Sequence, residues 1–318
     1  MLATTIRLWW QRRGRGGRSV IAAVAVIIVL GVGTVLALGL TSGTGRGSGQ
    51  AAASPPASRQ ASHSPALSPA EAQAAATARA AAASWVAQQI TPAAVVACDA
   101  QMCTDLEQAG LPAGQLLYLG VGTASPVESD VLVATAAVRQ EYGARLAGVY
   151  APSVLASFGT GAAQVAIRVV APSGAAAYAS GLRADLAARV SAGRQLLHNP
   201  RLHVSAGARQ VLAAGQADSR LLADFRALAA GHPLRVIRFG AAPDGLSPGQ
   251  PVRTADIAPA GFGTLAKPDN LRLLARLLLA EPGRYRPASL TRLRLAGGTV
   301  VLRLTFQAPS PLGLGARS

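Results

Sequence analysis

VLASFGTGAAQVAIRVV, residues 154–170, holds the choice between a nucleotide-binding loop and a plain turn. It passes from one β-like segment through Gly159-Thr160-Gly161 into another. A dinucleotide fingerprint needs G-x-G-x-x-G after a strand and at the start of a helix, because the helix amides hold the pyrophosphate. Here Gly161 is followed by Ala162, Ala163 and Gln164, so the third glycine is missing. The following QVAIRVV alternates and is β-branched, which reads as a strand and points no helix dipole at the loop. Gly120-Val121-Gly122 runs into Thr123-Ala124-Ser125-Pro126 and fails in the same way. Both glycine pairs are predicted to be turns, and no cofactor is expected.

Outward from this stretch, strand-like and helical segments alternate. Residues 69–89 are Ala-rich and end in Trp85, Val86 and Ile90, so they read as a helix packed by its C-terminal end. VVAC (95–98) reads as a buried strand, and DAQMCTDLEQAG as a helix with Met102, Leu106 and Ala109 on one face, ended by Gly110. Thr104 and Glu107 also fit a capping box, which would start that helix a turn later. Segments 116–120, 131–137 and 154–158 read as strands, with a helix around 139–147. Such alternation predicts a Rossmann-like three-layer α/β lobe with a mostly parallel sheet over residues 69–171.

A second, smaller α/β lobe is expected over 172–318. Tyr178, Leu182, Leu186 and Val190 recur every four residues, and Leu221, Leu222, Phe225, Leu228 and Ala229 mark a second amphipathic helix stopped at Gly231-His232-Pro233. PLRVIRFG (233–240) reads as a strand, and the Pro/Gly-rich residues 241–263 as a long surface loop. Asp269 is placed to cap a helix bearing Leu271, Leu274, Leu277 and Leu278. LTRLRLAGGTVVLRLTF (290–306) reads as a hairpin about Gly297-Gly298. In that reading Leu293, Leu295, Val300, Leu302, Leu304 and Phe306 share the buried face, while Arg292, Arg294 and Arg303 point the other way.

The N-terminus concerns location. Residues 19–40, SVIAAVAVIIVLGVGTVLALGL, carry no charge, and as a helix they would span about 30 Å, the thickness of a bilayer's hydrocarbon core. Arg7, Arg12, Arg13, Arg15 and Arg18 precede them without an acidic residue, so residues 1–18 are expected in the cytoplasm and the rest outside. A cleaved signal peptide normally has a shorter apolar region and a small-x-small site, which Ala37-Leu38-Gly39 supplies poorly. The segment is therefore read as an uncleaved single-pass anchor in the lipid bilayer. Residues 41–68, rich in Gly, Ser, Pro and Ala, are expected to be a disordered linker.

Formal net charge is +16, with one lysine, Lys267, among 30 basic residues. The excess concentrates late: nine basic residues against Asp269 and Glu281 between Lys267 and Arg317. Such a chain is drawn to anionic polymers or headgroups, and Arg292, Arg294 and Arg303 are the candidate contacts. The exported setting leaves no nucleic-acid partner expected. Cys98 and Cys103, the only cysteines, fit a structural disulfide outside the membrane. No His or Cys cluster completes a metal site, and no G-x-S-x-G elbow or His motif supports a hydrolase. Asp99, Thr135 and Ser157 lie at or near strand ends, where α/β sheets bind ligands, so they are the candidate binding residues. Asp99 serves equally well as a helix cap.

ASWVAQQITPAAVVACDAQMCTDLEQAGLP, SDVLVATAAVR and VLASFGTGAAQVAIRVV together resemble the soluble extracytoplasmic domain attached to actinobacterial membrane glycosyltransferases of the family-39, protein-mannosyltransferase-like type. The shared pattern is a tryptophan-bearing helix, a strand ending in Asp, an Asp-led strand and a Ser-Phe-Gly-x-Gly turn. LLHNPRLHVSAGARQVLAAGQADSRLLADFRALAAGHPLRVIRFG likewise resembles exported actinobacterial proteins. The resemblance covers about half of the chain and implies an envelope setting in polysaccharide assembly, with a membrane glycosyltransferase as partner; the basic hairpin adds an anionic wall polymer as the other expected partner. No transferase catalytic residue has a position here to map onto. The functional expectation is an anchored extracytoplasmic binding or scaffold protein of the cell envelope, linked to polysaccharide or glycoconjugate assembly, without catalysis of its own. The alternative is an exported transferase or hydrolase acting at the sheet's C-terminal edge.

Overall fold

Ser68 caps helix α1 (Pro69–Gln89): its hydroxyl accepts from the Glu71 amide, and the Glu71 carboxylate accepts from the Ser68 amide. This reciprocal pairing satisfies donors that the first helical turn leaves free. The computed structural model describes residues 68–120, 125–260 and 268–314, all within one compact unit, His63–Ser318. The expected tail (1–18), anchor (19–40) and nearly all of the linker (41–68) lie outside the described residues. Among the described residues, no helix is long and apolar enough to cross a membrane.

The architecture is α/β, with two mixed five-stranded sheets. The first follows the order β2-β1-β3-β5-β4, from β1 (Val96–Cys98), β2 (Leu116–Tyr118), β3 (Val131–Ala134), β4 (Ser153–Phe158) and β5 (Val165–Val169). Side chains alternate across it. Val96, Cys98, Val131, Val133 and Ile167 meet α1 and α2 (Ala100–Gln108) on one face. Ala97, Leu132, Ala134 and Ala166 meet α3 (Ala136–Tyr142) and a π-helical turn at Leu146–Tyr150 on the other. The lobe thus has three layers, but its sheet is not mostly parallel. Strands β1–β2 and β1–β3 pair parallel, whereas β3–β5 and β4–β5 pair antiparallel. The cause is the opening stretch itself: Gly159 (φ +69°) and Gly161 (φ +57°) turn β4 directly back into β5, and a tight connection of this kind forces antiparallel pairing.

Helix α2 starts at Ala100 with Asp99 as its cap, so the later start at Thr104 is not taken. The Thr104 hydroxyl instead donates to the Ala100 carbonyl inside the helix. Cys98 and Cys103 form the disulfide, with Cα atoms 5.4 Å apart, tying the end of β1 to the first turn of α2.

The second sheet has the order β6-β7-β8-β10-β9, from β6 (Leu202–Val204), β7 (Leu234–Phe239), β8 (Thr254–Pro259), β9 (Ser289–Arg294) and β10 (Val300–Thr305). It has as many strands as the first, so this lobe is not the smaller one. Only β6–β7 is parallel. Strand β8 corrects the expected surface loop at 241–263: it lies at the centre of the sheet, with Ala255 and Ile257 fully buried. Its polar residue, Asp256, disguised it in the sequence, since two distant arginines make its burial tolerable. Helices α6 (Ser219–Gly231) and α7 (Pro268–Ala280) bury Leu221, Phe225, Leu228, Leu271, Leu274 and Leu278 against Leu234, Val236, Ile257, Leu302 and Leu304.

The β9–β10 hairpin forms, in a different register from the expected one. Arg294 pairs with Val300 and Arg292 with Leu302, so the connection is the five residues 295–299. A two-residue Gly297-Gly298 turn would pair Leu293 with Leu302. The one-residue difference moves every β9 side chain to the opposite face. Arg292 and Arg294 therefore share their face with Leu302, and Leu293 lies with Val301 and Arg303 on the other.

Helix α4 (Ala175–Leu197) also departs from its apolar pattern. Leu182 and Leu186 are exposed, while the buried stripe is Asp185, Arg189, Gly193 and Leu196. Gly193 is the contact with α5 (Ala206–Ala213): a Cβ there would lie 2.1 Å from the Leu212 carbonyl oxygen. We expect Gly193→Ala to destabilise the full-length protein by about 3 kcal/mol, the upper end for an overpacked core, read as a lower urea midpoint. An unchanged midpoint would mean that α4 and α5 separate without cost.

Two segments knit the lobes. Residues 245–247 cover the free edge of β4, with Ser157 N–H donating to the Gly245 carbonyl (2.9 Å) and Ser247 N–H to the Leu155 carbonyl (2.8 Å). Ala308, beyond β10, packs in the first lobe's core and bonds Gln89 and Thr91 at the end of α1.

Candidate functional site

Asp99 ends β1 and Thr135 ends β3, two adjacent parallel strands whose following helices leave in opposite directions along the sheet. Ligands of open α/β sheets bind at such a switch point. The two residues do meet there: the Thr135 hydroxyl donates to Asp99 Oδ2. They line a cleft of about 510 Å³ with Glu71, Arg79, Gln101 and Gln164. Ser157 is not part of it; its strand position is taken up by the pairing with Gly245.

The chemistry left in the cleft is modest. Asp99 Oδ1 accepts the Met102 amide (3.0 Å), and the Thr135 hydroxyl accepts the Val138 amide (3.4 Å), so both side chains serve as helix caps. Arg79 is paired with Asp105 at 2.9 Å. The Gly159–Gln164 turn also presents the wrong groups for phosphate. Its carbonyls at Gly161, Ala162 and Gln164 converge on the Arg139 guanidinium, whereas a phosphate cradle offers amides.

The candidate arginines are divided by the hairpin register. Arg303 lies on the face of the second sheet opposite the helices, together with Arg235 and Arg238. Arg292 and Arg294 are exposed on the other face of the edge strand. Helices α6 and α7 pack on the opposite face, over Leu234, Val236, Ile257, Leu302 and Leu304, while Val301 and Ala258 on the Arg235–Arg238–Arg303 face are buried between the arginine-bearing positions. At its centre is fully buried Asp256, which accepts from Arg238 Nε (2.7 Å) and from Arg303 Nε (2.7 Å) and Nη2 (2.9 Å). Burial alone would raise the Asp256 carboxyl, but the two guanidinium groups together hold it below its ordinary value. Asp256 thus fixes two arginines in place, Arg235 adds an exposed third cation, and the face carries a net +2.

A third polar set went unread in the sequence. Asp218, fully buried at the N-cap of α6, accepts from Arg220 Nε (2.9 Å) and Nη2 (2.8 Å) and from the Ser310 hydroxyl (2.5 Å). Arg220 also donates to the Gln307 carbonyl and lies over the Phe306 ring at 4.7 Å. Arg253 is 5% exposed and its Nη1 has no partner among the described residues. Burial lowers its pKa to about 10, with Asp218 opposing and Arg220 reinforcing the shift. One sequence signal was available: Asp224 falls within the apolar stripe Leu221, Leu222, Phe225 and Leu228, so α6 had to bury a carboxyl group. It is 2% exposed, and its Oδ2 has no hydrogen-bond partner among the described residues.

Among the described residues, no group of three or more His, Cys, Asp or Glu side chains could hold a metal ion. Compared with protein-family models, with curated proteins and with solved structures, the chain finds no match.

Proposed function

We propose that this chain is a single-pass, N-in anchored protein whose extracytoplasmic α/β part binds an anionic polymer of the cell envelope and performs no catalysis of its own. The observation that carries it is the arginine face of the second sheet. Two guanidinium groups are held in position by one buried carboxylate, next to an exposed third, on the face opposite helices α6 and α7. Guanidinium groups fixed in this way lose little freedom on meeting phosphate or carboxylate oxygens. The apolar residues 19–40 and the arginines before them support the anchor. The three-layer first lobe, with its crevice between β1 and β3, supports a Rossmann-like description. The resemblance to glycosyltransferase-associated domains supports a membrane glycosyltransferase as a protein partner.

The transferase or hydrolase reading keeps one supporting observation, the cleft at Asp99 and Thr135. It is the weaker reading, because both side chains already cap helices and no free base accompanies them.

The test uses the full-length protein in detergent, with a polyphosphate chain as a defined anionic polymer. Binding should weaken steeply with salt, as counterion release requires. The double variant Arg235→Gln/Arg238→Gln should weaken it about tenfold, each exposed contact contributing about 0.7 kcal/mol. Equal retention of the variant and the parent protein would remove the arginine face from the proposal. Failure of both to bind at low salt would overturn the polymer reading altogether.

A further inference from the structure

The groove between α4 and α6 is distinct from both the arginine face and the β1–β3 cleft. Its volume is about 500 Å³. The α4 wall runs from Ala188 to Leu196, about 12 Å of helix. Both walls carry alanine and leucine, including Ala192, Leu222, Ala223 and Ala227, interspersed with Ser191, Gln195 and Ser219, with Leu314 beyond them. Into this groove of mixed polarity the fold places two carboxyl groups, Asp224 and Glu281. An apolar stripe with a carboxyl in it is a costly arrangement for a helix, since a buried polar group without a partner loses its hydration and regains nothing. Asp224 is 2% exposed, yet no side chain or backbone group among the described residues bonds its Oδ2. Rotation about the soft last torsion of an aspartate brings either oxygen toward the groove.

We propose that this groove binds a small alkylammonium group, its apolar body along the Ala and Leu walls and its cationic head against Asp224 and Glu281. Among the described residues, the other charged groups of the lining are turned to other partners, and exposed Arg226 is not among the charges that act on Asp224. Arg189 is held by Asp185 at 2.8 Å and bonds the Gly215 carbonyl, and Arg226 donates to Gln195 Oε1 at 2.6 Å. Arg220, which acts on Asp224 through space, is paired with Asp218. Tyr285 adds a hydroxyl to the lining. The state of Asp224 fits a site that waits for a cation. Burial first, then the charges of Glu281 and Asp218, push its pKa up to about 8 against the opposing effect of Arg220. At neutral pH the carboxyl is therefore protonated, and a bound ammonium would displace that proton into solvent.

n-Pentylamine, n-pentanol and Nα-acetyl-lysine methylamide are the probes, titrated calorimetrically into the full-length protein in buffers of different ionisation enthalpy. Pentylamine should bind in the millimolar range, as befits six heavy atoms, with close to one proton released per ligand at pH 6.5. Affinity should rise as pH approaches 8 and level off above it. Asp224→Asn, which preserves shape and the neutral state, should weaken binding about tenfold and abolish proton release, while Glu281→Gln should weaken it less. Pentanol binding equal to pentylamine would overturn the proposal in favour of a merely apolar groove. So would a lack of saturable amine binding up to about 10 mM, or retention of proton release in Asp224→Asn. Binding of the lysine derivative as well as pentylamine identifies a side chain as an acceptable source of the cation; binding of pentylamine alone restricts it to free amines.

Discussion

Replacing Asp218 by asparagine should destabilise the protein by about 3–5 kcal/mol, the range for a buried ion pair that loses one partner. Its two oxygens receive the Arg220 backbone amide, two Arg220 guanidinium nitrogens and the Ser310 hydroxyl. Asparagine keeps one acceptor oxygen and turns an amide donor toward donors. Two arginines, Arg220 at 7% and Arg253 at 5% exposure, would remain buried without a carboxylate between them. For a folded region of this size the melting temperature should fall by about 10 °C. The milder Ser310→Ala removes one hydrogen bond and should cost about 1–2 kcal/mol. Its loss would leave the guanidinium contacts intact. Equal, small effects of the two substitutions would show that solvent reaches Asp218 and that the network contributes little.

Replacing Asp224 by asparagine should do the opposite, and only where the carboxyl would have to ionise. Its folded pKa of about 8 lies above the ordinary carboxylate value of 3.8. Between those limits the folded state holds a proton that the unfolded state has released, so stability falls as pH rises from about 4 to about 8 and then levels. The full difference corresponds to about 6 kcal/mol. Asp224→Asn should therefore leave stability at pH 5 little changed and raise it by about 2–5 kcal/mol at pH 8.5. Urea midpoints of both proteins at pH 5, 6.5 and 8.5 make the comparison. Asp218 and Asp256 do not obscure it. Their carboxyls are held below the ordinary range, so their contributions are present throughout this window and are lost only as pH falls below about 4. Parallel curves for parent and variant would mean that Asp224 ionises freely. The same result would weaken the proton-release part of the amine proposal without touching the arginine face.

These residues also show what can be read from sequence. Helix α1 was legible to its ends, because its cap, its composition and its apolar C-terminal half are all local signals. The Gly159–Gln164 turn was legible because the missing third glycine and the following β-branched run are adjacent to it. The rule that strand ends carry sites pointed to Asp99, Thr135 and Ser157; the first two meet in the structure, whereas Ser157 pairs with Gly245 instead. Strand β8 was not legible: Asp256 is acceptable in a sheet centre only because Arg238 and Arg303 reach it from residues 18 and 47 positions away. The β9 faces were inverted by assuming the shortest turn that two glycines allow. On α4, Leu182 and Leu186 promised an apolar stripe, yet the face taken inward is set by Asp185, Arg189 and Gly193. What these failures share is dependence on partners far along the chain, which local periodicity does not report.

The tie between Ala308 and the end of α1 has a consequence for how the chain is made. Gln89 and Thr91 lie near the beginning of the folded region, and the residue that bonds them arrives more than two hundred positions later. The Ser310 hydroxyl that completes the Asp218 site comes later still. During vectorial synthesis the first lobe stays unfinished at that corner until residue 308 has emerged. Its closing piece is then delivered by the last strand of the second lobe. Loss of residues 308–310, by early termination or by proteolysis, would leave both lobes defective at once, so one short segment acts as a checkpoint for the two of them.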